Sequence, residues 1–176
     1  MDKPMTNSHF NFMSLGYKFR DFFFPRKNVL RELKIEPGFC LLDYGCGPGG
    51  YSLVAAELVG KEGKVYALDI HPLAVKRIQK KAAKKGLTNI ETILSECETG
   101  LEEESMDVVL LYDVFHELSE PHMVLKELNR VLKSGGVLSF SDHHLDEEEI
   151  ISKVKEGGLF RFSIKGKKTY SFLKVK

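Results

Sequence analysis

After about residue 37 the chain alternates between short apolar runs and segments of helical periodicity, and this pattern limits the fold more than any other feature. Phe39 to Tyr44, Lys64 to Ile70, Asn89 to Leu94, Asp107 to Tyr112 and Gly136 to Asp142 read as five buried strands. Between them, Tyr51 to Val59 reads as a helix closed by Gly60. A second helix opens at Pro72, carries Ala74, Val75, Ile78 and Ala82 on one face, and ends at Gly86. A third is predicted from an N-cap at Ser119 with Pro121 just inside, a buried stripe of Val124, Leu128, Val131 and Leu132, and a stop at Gly135-Gly136. Asp146 caps a fourth, Glu147 to Glu156. FRFSI and TYSFLKV, joined by a Lys165–Lys168 turn, read as a closing hairpin. Apolar strands alternating with helices predict an α/β fold: a doubly wound, mostly parallel sheet covered on both faces.

Sheets of this kind take ligands beyond the carboxyl ends of their strands. Every unusual polar cluster of the chain falls at such an end: Asp43 to Gly50, Asp69 to His71, Ser95 to Cys97, Tyr112 to Glu117 and Asp142 to His144. The balance of the chain narrows the ligand. A net charge of +1 supplies no general attraction for nucleic acid or an anionic membrane. No apolar run approaches the roughly 18 residues of a membrane helix, and the start MDKPMTNSHF lacks a signal peptide's apolar centre. Three cysteines, Cys40, Cys46 and Cys97, show no C-x-x-C spacing, so neither a disulfide framework nor a zinc motif is expected, and a cytoplasmic location is.

LLDYGCGPGGYS, Leu41 to Ser52, has two readings. Gly45, Gly47 and Gly50 fit the dinucleotide fingerprint of a nicotinamide-dependent oxidoreductase. Gly45, Gly47 and Gly49, with Asp43 just ahead, fit an S-adenosylmethionine loop. A pyrophosphate needs backbone N–H groups at a helix N-terminus. Asp43 would repel it, and Pro48 has no N–H to give. S-adenosylmethionine carries a sulfonium and an ammonium, which an acidic strand tip suits. Asp69 ends the second strand and serves either reading as acceptor for two ribose hydroxyls; otherwise it is a helix cap before His71-Pro72.

Four motifs in order, DYGCGPGG, YALDIH, DVVLLYDVFHEL and LNRVLKSGGVL, resemble the class I S-adenosylmethionine-dependent methyltransferases, most closely the small-molecule, ubiquinone-biosynthesis-like (methyltransferase type 11) branch. The resemblance covers roughly residues 30–174, with Ser134 where the family usually has Pro. It implies a Rossmann-like, seven-stranded sheet whose last strand is antiparallel. It divides the chain into an N-terminal helical, aromatic cap (1–36) and an S-adenosylmethionine-binding domain (37–176). It also implies site roles. Asp43, Gly45 and Gly47 would border the methionine part, and Cys46 and Gly49 of the same loop would belong to the cofactor site. Asp69 would hold the ribose and Ile70 would lie against adenine. Ser95, Glu96 and Cys97 would stand near the adenine amino group, where the family commonly has Asp, and the Tyr112 carbonyl would meet the ammonium.

The fourth strand's tip, Tyr112-Asp113-Val114-Phe115, lacks the Asn-Pro-Pro-Tyr-like signature of enzymes that methylate planar amino groups. A small methyl acceptor, presenting oxygen or carbon, is therefore expected rather than nucleic acid. His116, His143 and Asp113 are the candidate catalytic residues on its side, His being the base suited to neutral pH. His116, His143 and Asp142 have ligating side chains, but their spacing matches no metal motif, so no metal is expected. Half of the twelve Phe, Phe10, Phe12, Phe19, Phe22, Phe23 and Phe24, precede residue 25, with Met13 and Tyr17 among them; Asn11 to Arg31 is expected to form a helix over the sheet edge or a lid for an apolar acceptor. Lys76, Lys80 and Lys84 share one helical face and read as a solvated surface. A protein that binds S-adenosylmethionine without turnover stays open at this level.

Overall fold

The structure, a computed structural model, describes residues 4–12, 14 and 26–175. Residues 7–12 are helical (α1) and Arg26–Leu30 forms a short helix (α2). Met13, Tyr17, Phe19 and Phe22 to Phe24 lie outside the described residues, and with them most of the helix expected over Asn11 to Arg31. The rest follows the predicted alternation. It runs β1 (Cys40–Tyr44), α3 (Gly50–Val59), β2 (Lys64–Asp69), α4 (Pro72–Lys85), β3 (Ile90–Leu94), β4 (Met106–Tyr112), α5 (Pro121–Val131), β5 (Leu132–Ser141), α6 (Glu147–Lys155), β6 (Phe160–Lys165) and β7 (Tyr170–Lys174).

The strands form one seven-stranded sheet in the order β3-β2-β1-β4-β5-β7-β6. β3, β2, β1, β4 and β5 are parallel, and β7 runs antiparallel to both of its neighbours. The order turns back on itself between β1 and β4, and a crevice opens at such a switch point.

Successive strand residues face opposite sides of a sheet, and the two cores alternate accordingly. Leu41, Val108 and Leu110 pack with Ala55, Ala56 and Val59 of α3 and with Leu30 of α2. Leu42, Val109 and Leu111 pack on the other face with Val124, Leu128 and Val131 of α5 and Ile150 and Val154 of α6. Strands buried on both faces read as unbroken apolar runs, which is why β1 and β4 were legible.

Local signals hold at α4, which starts at Pro72 and ends against Gly86, and at α6, where Asp146 and Glu149 form a reciprocal capping box. Two expectations around α5 are corrected. Its N-cap is Glu120, not Ser119, with no side-chain cap bond, although Pro121 does open the helix. The helix also stops at Val131, so Leu132 is its C-cap and the first residue of β5, and Gly135-Gly136 lie inside the strand. Leu132 pairs with Met106 across a register shift, and its buried side chain belongs to the sheet's core. Gly135, at φ 84°, absorbs the irregularity that follows. The closing hairpin is tied back to the chain's start: Glu32 accepts from the Thr169 N–H and hydroxyl at 3.1 and 2.9 Å.

Candidate functional site

A cavity of about 270 Å³ opens at the carboxyl ends of β1, β2 and β4, at the switch point. Its floor is the loop after β1. Asp43 is buried, and the Ser52 hydroxyl donates to it at 2.5 Å. The Ser52 backbone N–H, in the first turn of α3, donates to it as well. Burial pushes the Asp43 carboxyl up to about 6, against the opposing pull of Ser52 and of the Arg26 guanidinium.

The loop's own N–H groups are spent inside the protein. Those of Gly45 and Cys46 donate to the Leu68 carbonyl, each at 2.9 Å. That of Gly47 donates to Asp69 at 2.8 Å, and that of Gly49 to the Cys46 carbonyl at 3.0 Å. The place where a pyrophosphate would meet the start of α3 is thus held by a carboxylate, and the amides of Gly45, Cys46, Gly47, Gly49 and Ser52 are committed. This geometry disfavours the dinucleotide reading. Gly47 adopts φ 51°, and a Cβ there would meet no atom of the described residues within 4 Å, so it borders open space in the cavity. Gly49 differs. It does not line the cavity, and a Cβ on it would collide with Ile78 of α4, so its role is close packing of α4 against the loop.

Asp69 stands at the tip of β2 with one oxygen on the Gly47 N–H and the other on the His71 N–H, the latter at 2.7 Å. Burial raises its carboxyl above the ordinary range, and these two amides pull it back. His71, not Asp69, is the N-cap of α4: its Nδ1 accepts from Leu73 at 3.1 Å. Among the described residues its buried Nε2 has no hydrogen-bond partner, and its ring stacks on Phe10 of α1 at 4.3 Å between centroids. Met5, His9 and Phe10 line the cavity from the N-terminal segment, and Arg26 and Tyr51 from the first helices of the domain.

A second cluster lies where β4 and β5 end side by side. The Asp113 N–H extends the pairing by donating to the Ser141 carbonyl at 2.7 Å. His143 Nδ1 lies 2.9 Å from Asp113 Oδ1. His116 Nδ1 lies 2.9 Å from both oxygens of the buried Asp142. The rings of His116 and His143 each lie 4.0 Å from that of His144. Asp113, Asp142 and His143 offer ligand atoms within 4.8 Å of one another. Asp113 lines the cavity; the histidines of this cluster do not.

A model described as a methyltransferase domain matches residues 35–174, most of the chain. The chain belongs to the methyltransferase-domain family.

Other comparisons agree with that membership. A demethylmenaquinone methyltransferase of Geobacillus stearothermophilus is 32% identical over 132 residues, 74% of this chain and 56% of the relative. The chain therefore spans about half the length of the curated relatives it matches. The crystal structure of a SAM-dependent methyltransferase from Aquifex aeolicus superposes with a TM-score of 0.82 at 28% identity, covering 97% of this chain and 98% of that one. A Pyrococcus horikoshii protein, at 20% identity and a TM-score of 0.68 over 91% of each chain, shares the fold.

Within this methyltransferase domain, most of the residues singled out in sequence converge. Asp43, Gly45, Cys46, Gly47, Asp69, Ile70, Ser95, Glu96, Tyr112 and Asp113 all line the one cavity. Cys46 is an inert wall, its thiol held protonated by burial and by Asp43 and Asp69 nearby. Cys97 lies apart, packed against the core under α5. Ser52, Arg26 and Leu118 were missed, and His71 and Glu117, though inside the polar clusters marked at strand ends, had been given no role. Ser52 had a usable signal, a small polar residue in the first turn after the glycine loop. His71 had another, its place before Pro72. Arg26 had none, because nothing local joins it to residues of β1.

Proposed function

We propose that the chain transfers a methyl group from S-adenosylmethionine to a small, apolar molecule through an oxygen or carbon acceptor. The observation that carries this is the pair of buried carboxylates in one cavity, Asp43 near the end of β1 and Asp69 at the tip of β2, beside a loop whose Gly45, Cys46, Gly47 and Gly49 amides are already used. A cofactor with a cationic methionine end and a ribose has partners for both. Asp43 faces the sulfonium and ammonium, and Arg26 the methionine carboxylate. Asp69 accepts from the ribose hydroxyls through its remaining lone pairs. Ile70, Ser95 and Glu96 border the adenine, and the Tyr112 carbonyl accepts from the ammonium. Among the described residues, the open space beside Gly47 and the His71 Nε2 that has no hydrogen-bond partner support a ligand here.

In the reaction the acceptor attacks the methyl carbon opposite sulfur, the carbon–sulfur bond breaks, and S-adenosylhomocysteine leaves. Alignment supplies much of the acceleration. An acceptor that loses a proton can give it to an imidazole oriented by a carboxylate, His143 on Asp113 or His116 on Asp142. The family relative named for demethylmenaquinone supports an apolar acceptor, as do Phe10 and Met5 on the cavity wall. Met5, His9, Phe10 and Arg26, which line the cavity from within segment 1–36, support a cap there on this reading. The near-zero net charge supports a small molecule over nucleic acid. No helix among the described residues is long and apolar enough to cross a membrane, which fits work in the cytoplasm.

Thermal unfolding with S-adenosylmethionine, S-adenosylhomocysteine, NAD and NADP in parallel tests the cofactor. A ligand at about a hundred times its dissociation constant adds roughly 2.7 kcal/mol, which raises the midpoint of a domain this size by several degrees. Shifts with the two S-adenosyl compounds alone are expected; a shift with a nicotinamide nucleotide alone would overturn the proposal. His116→Ala and His143→Ala should keep S-adenosylhomocysteine affinity within about threefold while slowing methyl transfer by on the order of a hundredfold or more. A large loss of cofactor affinity in either variant would move that histidine off the acceptor side.

A further inference from the structure

The cluster at the ends of β4 and β5 has the composition and spacing of a metal centre, which the sequence spacing did not suggest. We infer that Asp113, Asp142 and His143 bind one divalent first-row metal ion of the Mn²⁺-to-Zn²⁺ range. Their ligand atoms already lie within 4.8 Å of one another. Donors around a single ion at metal–ligand distances of about 2.1 Å stand roughly 3 to 4 Å apart, so only small side-chain rotations separate the arrangement from a coordination sphere. Two carboxylates and one imidazole form a mixed oxygen and nitrogen set. That set favours such ions over the all-oxygen preference of Ca²⁺ and over thiolate-seeking metals.

The surroundings are built as a ligand support. Asp142 has no side-chain exposure, and four hydrogen-bond contacts fix its carboxylate. These are the backbone N–H groups of His116 and His144, at 3.1 and 3.0 Å, and His116 Nδ1 on both oxygens. A ligating carboxylate held by outer hydrogen bonds is the arrangement that keeps metal affinity high. Asp113 is also largely buried, with 15% side-chain exposure, whereas His143 is 63% exposed and already directs Nδ1 at Asp113 Oδ1 from 2.9 Å.

The site adjoins the cofactor cavity, because Asp113 lines it. An ion with three protein donors keeps coordination positions for other ligands. On the methyl-transfer reading, which this part rests on, those positions take an oxygen of the acceptor. His143 is then a ligand, and His116 on Asp142 is the remaining base. Ion binding itself does not depend on that reading.

The test is titration of the full, untagged, chelator-stripped chain with Co²⁺, followed by its visible absorption, and with Mn²⁺, followed by loss of the free-ion EPR signal. Both should saturate at one ion per chain in excess Mg²⁺. Asp113→Asn and His143→Ala should each weaken binding at least tenfold. Asp113 adopts φ 54°, a conformation that Asn tolerates well, so its variant keeps the backbone and loses only the charge. Absence of saturable binding, or unchanged binding in either variant, overturns the site. The S-adenosylhomocysteine thermal shift on the same samples keeps the two questions apart: ion binding without that shift leaves the metal site standing and removes the methyltransferase role, and the reverse result does the opposite.

Discussion

Asp69→Ala is expected to weaken S-adenosylmethionine binding by a factor of about 10² to 10⁴. Two charge-assisted hydrogen bonds to ribose hydroxyls are lost, each worth roughly 1.5–3 kcal/mol. The structure adds a second consequence. Asp69 also joins the glycine loop to α4 by accepting from Gly47 and His71, so its removal strands two backbone donors in a mostly buried place. The unliganded variant should therefore be less stable by about 1–3 kcal/mol yet still fold. Isothermal titration beside urea unfolding separates the two effects. Unchanged affinity in a folded variant would remove Asp69 from the ribose.

Asp43→Asn should act in opposite directions on stability and on binding. The Asp43 carboxyl has an ordinary value of 3.8 when exposed and is pushed up to about 6 in the folded protein. For an acid raised on folding, the native state holds the extra proton between those values. Stability is therefore highest below about pH 4, falls as pH rises toward 6, and carries the full cost of the buried charge above that. Asn keeps an acceptor for the Ser52 hydroxyl and carries no charge. The unliganded variant should be more stable than the parent at pH 8, by about 1–3 kcal/mol, and close to it at pH 4. Its S-adenosylmethionine affinity should fall at least tenfold, since the cationic end loses its counter-charge. In the parent, affinity should rise with pH up to about 6 and then level. A variant less stable than the parent at pH 8, or one that binds with parental affinity, would show that Asp43 is structural only.

The legible parts of the molecule were those governed by local rules. Leu41–Leu42 and Val108–Leu111 are consecutive apolar residues that serve both faces, a property of any fully buried strand, and Pro72, Gly86 and Asp146 mark helix ends by backbone chemistry. Leu132 misled because a residue at a helix boundary can be used by the helix or by a neighbouring element. At Leu132, pairing with Met106 in the sheet won.

By itself the sequence determined the alternation of strands and helices, the glycine loop, and the acidic residues at the tips of β1 and β2. Each is encoded within a window of a few residues by periodicity, φ requirements or capping. Only the tertiary structure decided what those residues face. It set Ser52 on Asp43, spent the loop amides on Leu68 and Asp69, and brought His116 to Asp142 and His143 to Asp113 across separations of 26 and 30 residues. Such meetings depend on which strands lie side by side and in what register, here Tyr112 opposite Ser141. That register comes from the packing of two hydrophobic faces at once, and no short stretch of chain carries it.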